Sequence, residues 1–83
     1  MMNALAKAKS LASTRTFAGF SSKEIAILQG LKEGLTDREI SFVVGLSEKT
    51  VNYYMRQLTT KLGARNRTHA LVKALQMGLV SLN

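Results

Sequence analysis

Apolar residues recur at helical spacing in four stretches of this chain, and a glycine follows each stretch. The first is SSKEIAILQGLKEG, residues 21–34, where Ile25, Leu28 and Leu31 predict one buried stripe. Ser21 and Glu24 match a capping box, and Gly34 stands where a helix exit favours a left-handed residue. The second is TDREISFVVG, residues 36–45, with Thr36 and Glu39 as its capping pair. Ile40, Val43 and Val44 are expected to turn inward there. The third follows Leu46, takes Ser47 as its N-cap and runs over about residues 48–62 before Gly63. The fourth, RTHALVKALQ, is capped by Asn66 and closes toward Gly78. Ala70, Leu71 and Ala74 predict its inward stripe, with Leu79 and Val80 folding back behind it.

A short helix, a three-residue turn containing Gly45 and then a longer helix form the helix-turn-helix signature. The expected fold class is therefore all-α, a four-helix helix-turn-helix domain over residues 20–83 with a short N-terminal tail. That tail, residues 1–19, is MMNALAKAKSLASTRTFAG, rich in Ala, Ser and Lys and free of acids. It lacks the continuous apolar core, roughly 7–15 residues, of a secretory signal. It reads as a flexible or partly helical basic tail.

The third helix divides cleanly by face. Successive residues turn by about 100°, so with Val51 at zero, Met55, Leu58 and Leu62 fall within about 40° of it. That apolar seam must face the core. Asn52 lies at about 100°, Arg56 at about 140° and Lys49 at about 160° by the same geometry. Thr60 follows at about 180° and Tyr53 at about 200°. Packing does not require Asn, Tyr, Arg and Lys to gather there. Tyr54, at about 300°, sits on the shoulder of the seam, with its ring over the core edge and its hydroxyl in water.

These polar residues suit a duplex. Asn pairs with adenine, Arg with the major-groove edge of guanine, and Tyr offers a hydroxyl to phosphate and a ring to a thymine methyl. Lys49 and Thr50 begin the helix, beside the positive end of its dipole, where phosphate binds readily.

Charge strengthens this picture. The net charge is +7, and all five acids lie between Glu24 and Glu48. From Lys49 onward the bases are Lys49, Arg56, Lys61, Arg65, Arg67 and Lys73, with no acid among them. A basic half points to a polyanionic partner such as nucleic acid.

Composition excludes other classes. Eighty-three residues make one small domain, with no room for a deep enzymatic cleft. Absent cysteine removes disulfides, cysteine zinc sites and thiol nucleophiles. His69 is the only histidine and has no metal partner nearby in sequence, so a local capping or surface role is expected of it. Ser47 and Thr36 read as caps, not nucleophiles. No enzyme activity, cofactor or metal is expected. No membrane partner is expected either, because the longest apolar runs fall far short of the roughly 20 residues that span a bilayer.

The stretch GLTDREISFVVGLSEKTVNYYMRQLTTKLGARNRTHALVKALQMGLV resembles the DNA-binding domain of LuxR/FixJ-type (GerE family) bacterial transcription regulators. The likeness spans roughly residues 20–80. It rests on Glu24 in the first helix, GLT before the second, SEKTV opening the third, KLGARNRT at the third junction and GLV at the end. The helix-turn-helix of the last region of sigma factors is similar, but the KLGARNRT junction favours the LuxR/FixJ type.

The resemblance implies a sequence-specific, double-stranded DNA-binding transcription regulator whose third helix enters the major groove. It places base reading at Asn52, Tyr53 and Arg56, and backbone contacts at Thr36, Lys49, Thr50 and Lys61. The family binds inverted repeats as dimers, largely through the fourth helix, where Val72, Lys73 and Gln76 are the candidate contacts. A cytoplasmic, nucleoid-associated location follows. Ala26, Tyr54 and His69 depart from common family residues, and none of them removes a basic contact. Most relatives carry a receiver or sensing domain ahead of these helices, so a regulator acting without its own sensing domain is expected. The alternative is an antiactivator-type interaction module, forming a heterodimer with a larger LuxR-type regulator through the fourth helix.

Overall fold

Reciprocal caps fix where the helices begin. The Ser21 hydroxyl accepts from the Glu24 N–H at 3.2 Å, while Glu24 Oε1 accepts from the Ser21 N–H at 2.8 Å. Thr36 and Glu39 repeat the arrangement at 3.1 and 2.8 Å. Ser47 and Asn66 cap the two later helices by accepting from Thr50 and His69 N–H groups. Each cap satisfies backbone donors that the first turn leaves unpaired.

The computed structural model describes residues 19–82. Its four helices are α1 (Ser22–Lys32), α2 (Asp37–Val44), α3 (Glu48–Lys61) and α4 (Arg67–Gln76). The reading of residues 1–19 as a basic tail falls, apart from Gly19, outside the described residues. Between α2 and α3 the chain turns at Gly45, which adopts φ 73° and ψ 32°. Only glycine enters that left-handed region at no steric cost, so the tight turn of the helix-turn-helix rests on it.

All of the α3 seam is buried: Val51, Met55, Leu58 and Leu62. Around it lie Phe20, Ile27, Leu28, Ile40, Ala70, Ala74, Leu79 and Val80. α1 packs against each of the other three helices, and α3 packs against each of its three as well. Lys23 at the start of α1 donates to the Val44 carbonyl at 3.4 Å, closing the far end of α2.

Two expectations need correction. Val43 does not turn inward; it is 69% exposed, and its neighbour Phe42 is 75% exposed. α2 is only eight residues long and buries the face of Ile40 and Ser41, with Val44 half-buried. Measured from Ile40, Val44 lies about 40° away and Val43 about 300°, on the far side from Ser41. In α1, Ile27 and Leu28 are fully buried, whereas Ile25 and Leu31 only lean on the core. A helix wrapped by three neighbours buries a wider arc than one stripe.

Gly30 explains how α1 and α2 approach so closely. A Cβ added there would sit 2.7 Å from Cγ1 of Ile40, a fully buried side chain. Gly30→Ala gains about 1 kcal/mol of helix propensity but overpacks the contact at a cost of about 1–3 kcal/mol. β-branched Ile40 has little freedom to move away, so the substitution is expected to lower urea stability by about 1 kcal/mol. A more stable Gly30→Ala protein would show that the contact yields.

Candidate nucleic-acid interface

With the seam turned inward, the opposite face of α3 lies open. Lys49, Asn52, Tyr53 and Arg56 are exposed and together line one shallow hollow. Thr60, on the same face, is exposed too. The two tyrosines separate as their helical angles require: Tyr53 is 57% exposed, while Tyr54 is half-buried against the core. Their rings meet edge to face, with centroids 6.2 Å apart and an interplanar angle of 75°. That contact restricts Tyr53 without covering it.

Thr50 lies at the helix start, where its hydroxyl accepts from the Ser47 hydroxyl at 2.9 Å. Its own proton stays free for an outside acceptor. Thr36 is more committed. Its hydroxyl accepts from the Glu39 N–H and donates to Glu39 Oε1 at 3.2 Å, so the cap engages it on both sides.

Lys61 is committed as well. Its Nζ lies 3.2 and 3.4 Å from the two Glu24 carboxylate oxygens and 4.6 Å from the centre of the Phe20 ring. The Glu24 side chain is only 12% exposed, and a carboxylate so covered needs a cation. The pair ties the end of α3 to the first turn of α1, and the ring adds a cation–π contact.

Asn52 belongs to a second charged cluster. Its Nδ2 donates to Asp37 Oδ2. Arg67 grips the same carboxylate as a fork, Nη1 to Oδ1 at 2.7 Å and Nη2 to Oδ2 at 3.1 Å. One carboxylate therefore joins the first residues of α2 and α4 to the middle of α3. Its position also suits the helix dipoles: the carboxylate lies in the first turn of α2, and it offsets the unfavourable positive charge of Arg67 at the N-terminus of α4. The Arg67 hydrogen bond, above all, holds the Asp37 carboxyl below the ordinary aspartate value. Desolvation opposes this, and the Arg67 charge and the Asn52 hydrogen bond add to it. The same hydrogen bond raises Arg67 in turn.

The single histidine has a local role. The His69 N–H donates to the Asn66 side chain at 2.9 Å, and its Nδ1 accepts from the Arg65 N–H at 3.0 Å. The ring thus reaches back to Arg65, the residue before the cap. On α4, Val72 and Gln76 are exposed and Lys73 is half-buried, with Met77 exposed just beyond. Among the described residues no helix is long and apolar enough to cross a membrane.

Periodicity finds Lys49, Asn52, Tyr53 and Arg56, and the fold brings these four together. Thr36 and Lys61 are engaged with Glu39 and Glu24, and Lys61 lines a second hollow together with Tyr53 and Thr60. Asp37 and Arg67 escape a sequence reading as site residues, since no local signal links positions 30 apart in sequence.

A family model described as bacterial regulatory proteins, luxR family, matches residues 18–74. The chain belongs to that family. It is similar to YdfI, a transcriptional regulatory protein of Bacillus subtilis, at 35% identity over 63 residues, 76% of this chain and 30% of the relative. RpaR of Rhodopseudomonas palustris, a quorum sensing-dependent transcriptional regulator, is 42% identical over 60 residues, 72% of this chain and 25% of its own length. The solved structure of the transcription factor GerE matches with a TM-score of 0.74 at 31% identity, covering 77% of this chain and 96% of that one. The chain spans only 24–30% of the length of the curated relatives it matches.

The lowered Asp37 value has a definite consequence for acid stability. A depressed carboxyl contributes stability above its unfolded value and loses it as pH falls through the folded one. Asp37→Ala is expected to cost about 1–2 kcal/mol in urea unfolding at neutral pH, from the lost charged hydrogen bonds. The difference from wild type should shrink toward zero as both proteins are taken to about pH 2. A gap of constant size across that range would assign the loss to packing and not to charge.

Proposed function

We propose that the domain is a sequence-specific reader of double-stranded DNA that lays α3 in the major groove and regulates transcription. The observation that carries this reading is the shared exposure of Lys49, Asn52, Tyr53 and Arg56 on the face opposite the buried seam. Base reading falls to Asn52, Tyr53 and Arg56, with Arg56 suited to the two acceptors of guanine. Lys49 and Thr50 serve phosphate at the α3 N-terminus, where dipole and side chains act together. Thr36 and Lys61 complete the phosphate set at the flanks, Thr36 by turning its hydroxyl proton from Glu39 to phosphate while its N–H keeps the Glu39 carboxylate. Lys61 serves there while keeping Glu24, because an ammonium has three donors. A bacterial regulator of this kind works at the nucleoid, in the cytoplasm.

Two copies on an inverted repeat pair through α4, with Val72, Lys73 and Gln76 at the contact. Exposed apolar side chains at Val72 and Met77 favour a protein partner on this face. The same face supports the second reading, a heterodimer with a larger LuxR-type regulator that this domain blocks.

Selection of binding sites from random duplexes, followed by mobility shift, tests the DNA reading. Arg56→Ala is expected to lose about 1–3 kcal/mol on the selected site and to relax its sequence preference. Lys49→Ala should weaken all duplexes alike and lower the salt slope by about 1. An Arg56→Ala protein with wild-type affinity and preference would sink the assignment of α3 as the reading helix.

Lys61→Ala separates a structural role from a DNA role. Stranding the covered Glu24 carboxylate should cost about 1–3 kcal/mol in urea unfolding with no DNA present. Wild-type stability, with DNA affinity lost, would make Lys61 a phosphate contact alone.

A further inference from the structure

Which end of the Asn52 amide faces outward is decided by Asp37. A carboxylate has no proton to give, so only the amide nitrogen can bond to it. Nδ2 holds that position, and among the described residues no protein group donates to Asn52 Oδ1. The oxygen is therefore the acceptor that Asn52 offers to the hollow it shares with Lys49, Tyr53 and Arg56. A freely turning asparagine is ambidextrous: oxygen outward it meets a donor, nitrogen outward it meets an acceptor. Here the turn would set Oδ1 against the carboxylate, two acceptors with no proton between them.

Asp37 itself has little freedom to swing away. Its side chain is 11% exposed, and the Arg67 fork holds both of its oxygens. A forked guanidinium fixes orientation as well as distance, which a lysine ammonium does not.

We propose that the Asp37–Arg67 pair is a specificity device that locks the Asn52 amide oxygen outward, so that residue 52 reads base edges carrying a donor. In the major groove those donors are adenine N6 and cytosine N4, whereas guanine and thymine present acceptors. The second N–H of Nδ2 remains for adenine N7, which ranks adenine above cytosine. Asp37 and Arg67 touch no base in this arrangement; they are positioning residues. The inference rests on the DNA-reading role of α3 proposed above.

The test uses the full chain and two variants. Arg67→Lys keeps the charge and removes the fork, while Asp37→Ala removes the acceptor. Urea unfolding of each verifies the fold, and Arg67→Lys carries the test alone if Asp37→Ala does not fold. Asn52→Ala first locates the base pair beneath residue 52, as the one position where preference flattens. Four duplexes that differ only there are then titrated with each protein. Wild type should prefer adenine over guanine or thymine by about tenfold. Both variants should keep affinity for the adenine duplex within about threefold; Asp37→Ala should lose most of that discrimination, and Arg67→Lys, which leaves the acceptor but frees it to swing, a measurable part of it.

A readout without DNA accompanies this one. The two Asn52 side-chain amide protons should resonate well apart in wild type and move toward free-asparagine positions in both variants. Variants that keep the wild-type preference, or that weaken all four duplexes equally, overturn the proposal. A wild-type preference for guanine or thymine, or amide signals unmoved in the variants, does the same. Wild type that binds no duplex at low salt overturns the DNA reading and this proposal with it. Retained binding with unchanged discrimination overturns the proposal alone.

Discussion

Burial of one face of α3 is the constraint from which the remaining features follow. Val51, Met55, Leu58 and Leu62 form a single seam, and α1, α2 and α4 all close on it. Each such side chain contributes about 1.5–3 kcal/mol when removed from water. A domain this small has no second core to replace it. Because the seam is narrow, turning it inward leaves the rest of α3 outside. The exposed residues then include Lys49, Asn52, Tyr53 and Arg56, a set with little value for packing and much for a duplex.

Charge pairing sharpens that division. Of the five acids, Glu24 and Asp37 are covered and take Lys61 and Arg67 as partners. Two cations of the basic half are thereby drawn into the fold, while Lys49 and Arg56 remain on the open face of α3. The chain's luxR family membership and GerE-like fold are compatible with a face of α3 that keeps its cations unspent.

How much of this is legible from residues in order depends on the range of each interaction. The capping boxes at Ser21 and Thr36 join positions three apart, so each is visible within one turn of sequence. The α3 seam repeats every three or four residues and is equally plain. Val43 and Ile27 escape such a reading because the width of a buried arc depends on how many neighbours close on the helix. α2 meets its neighbours along one narrow face, whereas α1 meets three helices. Gly30 looks like an ordinary helical residue until Ile40 is found against it.

Helix positions, the sides of α3 and the family can thus be read from order alone, because hydrogen bonds and apolar repeats within four residues encode them. Which polar side chains stay free cannot. Asp37 meets Arg67 across 30 residues, and Glu24 meets Lys61 across 37. No periodicity spans such distances; packing of the helices brings the partners together. That packing gives Lys61 a covered acid as its partner, and it gives the Asn52 amide an orientation.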